Sequence, residues 1–465
     1  MNRRKFIGAA VASSLLGDSG SVCAEISPPP ATTGRSGNTR RHSLEQTRPG
    51  PSIQEIATQY RSDLFDDFLP FMAKYVVDPA YGGFLCGTDG HGVHVTTDKY
   101  SWFEGRGIWV YSFLYNHLAH EKKYLDVARG SVEFILRLFP KPPAESWPFQ
   151  LTRDGKPLTD PEPQVYGDLF IAEGLAEYSI ATGELRYWHM AKDLLLKSVR
   201  IYDRADYYAE IGQTYLGPQA RSFPGARIQG VWMVLVRVCT QMLRSRKDPD
   251  VAAIAARCVD AVVNHHFNPR FELNNELLNH DLTRPTNEYE QLVYTGHCIE
   301  ISWMLLDEAL RIGDTALFAT LAERFRRHVE VAEDRVYGGV FRDLINVDEN
   351  QWTLDKVLWA QEEVTIGALL IFEHTGAPWA WDLFLKFDQY TRRKYQYPLK
   401  RLGIPLWIYG ADRQVTIESY FKNPARVENY HHPRHLMLNL LRLNRMARNK
   451  TSLPKPSDGL SREEV

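Results

Sequence analysis

Between residues 53 and 446 the chain alternates, six times, a charged helical segment with one that is apolar on most sides. The charged segments centre near 53–76, 122–139, 186–203, 249–267, 315–332 and 379–395. The apolar ones centre near 101–119, 166–184, 226–244, 296–312, 356–375 and 428–446. Within each, apolar residues recur close to i, i+3, i+4, i+7, which is the helical period. A helix with one polar face, such as Lys192, Asp193, Lys197 and Arg200 in the third, belongs on the outside. A helix that is apolar all round has to be buried. The pairs repeat roughly every 60–70 residues. An open solenoid would need polar capping ends and would leave the inner helices wet. A closed (α/α)6 barrel, six parallel inner helices wrapped by six outer ones, removes both problems. The expected fold class is therefore all-α. Loops such as Y-G-G-F-L-C-G-T-D-G-H-G and Y-G-G-V-F-R-D-L-I-N-V-D are expected to lie as short β-hairpins over one end. Architecture alone names no activity.

The barrel is expected to occupy 53–448. Ahead of it, 1–24 reads as a twin-arginine-type signal peptide: Arg3-Arg4-x-Phe6, then an apolar run over 6–16 too short to span a bilayer, then V-C-A ending at Ala24. Residues 25–52, rich in Pro, Ser, Thr, Gly and Arg, read as a disordered linker, and 449–465 as a disordered tail. The expected location is periplasmic or secreted, with no membrane span in the mature form. A net charge of -2 points away from nucleic acid. Once Cys23 leaves with the signal, Cys86, Cys239, Cys258 and Cys298 remain, without C-x-x-C spacing, and read as buried thiols. Monomer and homodimer both stay open.

Odd polar residues fall at the beginnings of the apolar helices. These are Arg106 in the first, Tyr166 and Asp168 in the second, Arg227 and Gln229 in the third, His297 and Glu300 in the fourth. The fifth has Trp359, Gln361, Glu362 and Glu363, and the sixth His431, His432 and Arg434. In a closed ring all six N-terminal turns meet at one end. The result is one pocket lined by Trp102, Trp109, Trp303 and Trp359, with aromatic faces and convergent polar groups suited to a small-molecule carbohydrate. Two histidines in it suit proton transfer near neutral pH.

The chain resembles the superfamily of N-acylglucosamine 2-epimerases and cellobiose 2-epimerases, which also contains aldose–ketose isomerases acting on mannose. The resemblance covers about 53–446. It rests on G-G-F-L with D-K-Y-S-W-F-E-G-R-G-I-W at 82–109, G-H-C-I-E-I-S-W-M-L-L-D at 296–307, K-V-L-W-A-Q-E-E at 356–363 and H-H-P-R at 431–434. It implies His297 and His431 as the acid/base pair, with His432 at a variable position. It implies Glu300 as the carboxylate supporting the first histidine and binding sugar hydroxyls, and Arg106 as the group polarising O1. It implies Trp303, Trp359 and Glu363 as residues that stack on or hydrogen-bond the sugar. The implied course is ring opening, loss of the C2 proton to an enediolate, and reprotonation, without a cofactor. Leu358 stands where relatives often carry a tryptophan, and Met233 where cellobiose-type members place a histidine.

Blander readings stand beside these. Tyr166, Asp168 and Gln229 are helix-start residues that can serve as caps or core partners. Trp109 and Cys298 read as core. The His265-His266 pair, near the end of an outer helix, reads as solvated. Glu362 and Glu363 cannot both point inward, and the resemblance selects Glu363. No metal is expected, because His-x-x-Glu does not recur on a second helix. A G-x-x-x-x-G-K-[ST] phosphate loop is absent. A glycoside hydrolase would need a carboxylate pair such as Asp168 with Glu300 or Glu363. A non-catalytic sugar-binding protein is the third class.

Overall fold

A computed structural model describes residues 50–138, 146–159, 165–209, 221, 223–417 and 426–454. The expected signal peptide, nearly all of the expected linker and most of the expected tail lie outside these residues. The body beginning at Gly50 forms one compact unit.

Among the described residues, twelve long helical segments follow one another. They are α1 (53–76), α2 (Ser101–His117), α3 (Lys122–Arg137), α4 (Val165–Thr182), α5 (Leu185–Tyr202), α6 (Gln229–Ser245), α7 (249–266), α8 (Thr295–Ile312), α9 (Thr315–Ala332), α10 (Leu358–Thr375), α11 (378–400) and α12 (His431–Arg448). The even-numbered helices pack in the cyclic order α2, α4, α6, α8, α10, α12 and back to α2, so the inner ring closes. The odd-numbered ones pack outside it. This is the expected double ring, and no described helix is long and apolar enough to cross a membrane.

The pairing differs in one respect from the sequence reading, which joined each charged segment to the apolar one after it. In the structure each inner helix packs on the outer helix that follows, and α1 packs on α12. Loop length explains this. Inner-to-outer connections are tight: α8 and α10 end on left-handed Gly313 (φ 76°) and Gly376 (φ 67°), and short loops make antiparallel neighbours. Outer-to-inner connections are long and carry the hairpins.

Two inner helices approach unusually closely. A Cβ at Gly105 would lie 2.4 Å from the backbone of Phe170 and Ile171, and one at Gly174 2.6 Å from the Gly105 carbonyl. Only glycine lets α2 and α4 meet there.

The two Y-G-G turns enter α2 and α10 in the same way. Lys99 is buried against Asp78 at 3.0 Å, and Lys356 against Asp334 at 2.8 Å. Each lysine also donates to a turn carbonyl, Gly82 and Gly338 respectively. Arg153 and Arg413 complete the two carboxylates from neighbouring loops. Both aspartates are held below the usual carboxylate range. Burial opposes that, but the arginine and lysine donors outweigh it. A lysine this deep is tolerable only because its charge is paired and its donors are used.

All four described cysteines are buried free thiols, as expected. His265 is solvent-facing, but His266 is not. It is fully buried, its Nδ1 2.7 Å from the Asn275 carbonyl. The helix ends where the sequence placed it, but its last turn carries His266 under the 267–274 hairpin.

Candidate active site

The N-terminal turns of α8, α10 and α12 bring His297, Trp359 and His431 together. The Trp359 ring lies near both imidazoles, with centroids 5.4 Å from His431 and 6.1 Å from His297. Tyr294 stacks alongside at 6.2 Å and 10°. Space for these rings comes from glycines. A Cβ at Gly296 would lie 2.6 Å from the Trp359 ring, and one at Gly230 would lie 2.8 Å from the Tyr166 hydroxyl and 2.9 Å from His297 Cε1. Tyr166 is therefore in the pocket beside His297.

His297 keeps 22% of its side-chain surface exposed, and its Nδ1 is 2.8 Å from Glu276 Oε1. Burial would lower its pKa, but the Glu276 carboxylate, with Glu300 and Asp343 behind it, outweighs burial and raises it. Glu276 is fixed from below. Its carbonyl accepts from the Gln229 backbone at 2.8 Å, and the Gln229 side chain spans Asn274, Cys298 and Glu276. Gln229 is thus fully buried, and its side chain is engaged by these three partners.

His431 sits in the opposite electrostatic setting. Burial lowers its pKa, and Arg106 adds to this, against the pull of Glu428 and Glu300. Its Nδ1 is 3.7 Å from Glu428 Oε1 and its Nε2 3.8 Å from Glu300 Oε1. Arg106 packs its guanidinium over Phe170 (4.1 Å), Trp102 (4.5 Å) and Tyr430 (4.9 Å). Its Nη1 is 3.7 Å from Glu428, and Nε and Nη1 carry no hydrogen bond. Buried donors without partners are costly, so they are poised for a ligand oxygen.

Beneath lies a charged floor. Arg434 donates to Glu300 at 2.5 Å and also to Glu363. Trp303 Nε1 donates to Glu363 Oε2 at 2.6 Å. Burial and the Glu300 charge push the Glu363 carboxyl up to about 8, while Arg434 and His431 hold Glu300 below its usual range against burial. One of this pair keeps its proton. Glu300, Glu363 and His431 also converge closely enough to suggest a metal, but Arg434 already supplies the cation between the carboxylates.

Several expectations need correcting. The carboxylate hydrogen-bonded to His297 is Glu276, while Glu300 accepts from Arg434 and acts on His297 only through its charge. Asp168 is engaged by Lys197 (2.6 Å) on α5 and Ser146 (3.0 Å), so its carboxylate is held toward the outer helix. Trp303 and Glu363 are fully buried and form the floor instead of the wall. Trp109 is core, as expected, its Nε1 2.7 Å from Gln241. Glu276 and Glu428 escaped the sequence reading. Both lie in irregular segments, and only the polar run N-N-E at 274–276 hinted at the first.

A cavity of about 910 Å³ lies at the other end of the barrel, among His117, Glu177, Arg244, Asp307, His374 and Arg445. It includes none of the pocket residues described above.

Fold and site together define a closed helical barrel with a two-histidine pocket at the N-terminal ends of its inner helices. The chain belongs to the N-acylglucosamine 2-epimerase family, whose model matches residues 82–432. It is 26% identical over 350 residues to human N-acylglucosamine 2-epimerase, covering 72% of this chain and 78% of that one. It is 22% identical over 345 residues to cellobiose 2-epimerase of Bacteroides fragilis, covering 70% and 84%. The structure of cellobiose 2-epimerase from Bacillus thermoamylovorans shares the fold with TM-score 0.69 at 17% identity, covering 84% of this chain and 100% of that one. The relatives are epimerases, and the chain is an isomerase-class enzyme.

Proposed function

We propose that the chain is a cofactor-independent sugar 2-epimerase acting on a reducing sugar, an N-acylhexosamine, hexose or disaccharide, with His297 and His431 as its two bases. The observation that carries this reading is a pair of imidazoles from two different inner helices, both beside Trp359, that sit in opposite electrostatic settings. A C2 epimerisation needs one base that is free and one acid that is charged, because the proton leaves one face and returns to the other. In one direction neutral His431 takes the C2 proton of the open-chain sugar. The electron pair moves into a C1–C2 enediolate, whose O1 charge is met by the free Arg106 donors. Protonated His297 then returns a proton to the opposite face of C2. The reverse reaction exchanges the two roles. Trp359 offers the sugar a stacking face, and Tyr166 a hydroxyl.

Proton NMR of reducing sugars incubated with the enzyme in D2O tests this. Deuterium at C2 together with the epimeric aldose is expected. A ketose product would identify an aldose–ketose isomerase using the same two bases. No exchange with hexoses, N-acetylhexosamines or disaccharides would overturn both. Export through the Arg3-Arg4 leader belongs to the same proposal. Fractionation of a bacterium expressing the full chain should place it in the periplasm, and an Arg3→Lys/Arg4→Lys variant should leave it in the cytoplasm.

A further inference from the structure

Glu362 neighbours the floor residue Glu363, but one step along a helix turns a side chain by about 100°. It therefore faces away from Trp303, toward α12 and α1. There it meets His432 and His435, which lie at i, i+3 on α12. A carboxylate oxygen and one nitrogen from each imidazole all fall within 4.8 Å of one another, and all three residues are buried. Glu362 Oε1 is 2.5 Å from His432 Nδ1 and 3.3 Å from His435 Nδ1. Among the described residues no lysine or arginine pairs with this carboxylate.

The cluster is incompletely satisfied. Glu362 Oε2 and His435 Nδ1 make no hydrogen bond. His435 Nε2 is already engaged with the Tyr60 hydroxyl at 3.1 Å, which fixes the ring and leaves Nδ1 facing the carboxylate. Whichever ring nitrogen carries the proton, Nδ1 is either an unused donor or a lone pair aimed at an anion. A cation between the three groups gives His435 Nδ1 a partner and the carboxylate a full counter-charge. The surroundings are those of a metal site's outer layer. Tyr60 orients one ligand and is itself held by Asn439, while Phe68 and Trp407 pack on the His432 ring at 5.3 Å and 4.8 Å. Ligating histidines commonly use their second nitrogen in this way.

We infer that Glu362, His432 and His435 form a binding site for one zinc-class divalent cation, clamping the start of α12 to α10 beside His431. Two imidazoles and a carboxylate favour zinc or cobalt over magnesium or calcium. Tetrahedral zinc bonds of about 2.0–2.2 Å place donors roughly 3.3 Å apart, so the Glu362–His432 contact opens slightly as the metal enters. The metal takes the place of the proton between that pair, and a neutral His432 ring keeps its single proton by carrying it on Nε2. A water fills the fourth position. The clamp is structural and takes no part in the proposed proton transfers.

The test uses the tag-free full chain, stripped with a chelator and titrated with zinc chloride and, separately, cobalt chloride. One zinc per chain, a raised Tm and the visible absorption of four-coordinate cobalt are expected. Glu362→Gln and His435→Gln should abolish all of these, Tyr60→Phe should weaken binding by about 10–100-fold, and His297→Ala should leave binding intact. No stoichiometric binding to the wild-type chain would overturn the site, even if the ligand variants fail to fold. Binding that survives Glu362→Gln or His435→Gln would overturn it equally.

Discussion

His297 Nδ1 and Glu276 Oε1 are 2.8 Å apart, although the two residues are 21 positions apart and sit on different elements, a helix start and an irregular loop. This contact raises the His297 pKa, whereas that of His431 is lowered. Replacing Glu276 by Gln removes the charge and keeps the shape. We expect kcat to fall by about 10²-fold or more, in the range of a lost acid/base function. The alkaline limb of the pH–rate profile should move to lower pH, because the raised His297 pKa relaxes. Steady-state kinetics across pH 5–10 checks both.

In the wild-type enzyme the two opposed shifts predict a bell-shaped rate profile. As pH falls through the lowered His431 pKa, the free base is lost. As pH rises through the raised His297 pKa, the acid is lost. His431→Ala should remove the acid limb and reduce turnover by about 10²–10⁴-fold with the circular-dichroism spectrum unchanged. Turnover near wild type in that variant would sink the two-base mechanism.

Gly230 clears the space shared by Tyr166 and His297. Gly230→Val should lower kcat by at least about tenfold, since small misplacements of reacting groups are costly. Its Tm should change far less than in a core overpacking variant, because the pocket opens to solvent at His297.

The floor pair is asymmetric. Glu363 retains a proton near neutral pH, with its carboxyl pushed up to about 8 by burial. Glu363→Gln keeps the site neutral but turns its NH2 toward one of the two donors, Trp303 or Arg434, and should cost about 1–3 kcal/mol. Arg434→Met strands the Glu300 charge in the interior and should destabilise by about 3–5 kcal/mol. Similar Tm losses for the two variants would contradict this assignment.

His266 and His328 are both buried neutral, with pKa values lowered by burial to about 4. Below the unfolded value near 6.5 the unfolded chain binds protons that the folded chain refuses. Stability is thus full above about pH 6.5 and falls steadily toward pH 4, by up to about 3 kcal/mol per histidine. Denaturant titrations at pH 7.5 and 5 check the slope. His328→Gln should flatten it.

Much of the ring was legible because it is written in local periodicity. A helix apolar on every side, such as Leu358–Thr375, has only one place to go, and six of them at even spacing close on themselves. The end at which polar groups gather followed from the same pattern, since His297, Trp359 and His431 all fall in first turns. The H-H-P-R run marked Arg434 but not its task.

Which carboxylate serves which histidine was not legible. Glu300 lies one turn below His297 on the same stripe, so spacing alone pairs them. In the folded chain the Arg434 guanidinium, 134 residues away, attracts Glu300 more strongly. Glu276 then takes the histidine from a loop that has no periodic signal. Asp168 likewise faces Lys197 because the opening of α4 is rotated toward its outer helix. The sequence by itself determined the repeat, the closure and the end that carries the chemistry, because these depend on which residues recur along a helix. The tertiary structure decided the partners of each charge. That choice depends on rotation about the helix axes and on distances of a few ångströms between segments far apart in the chain.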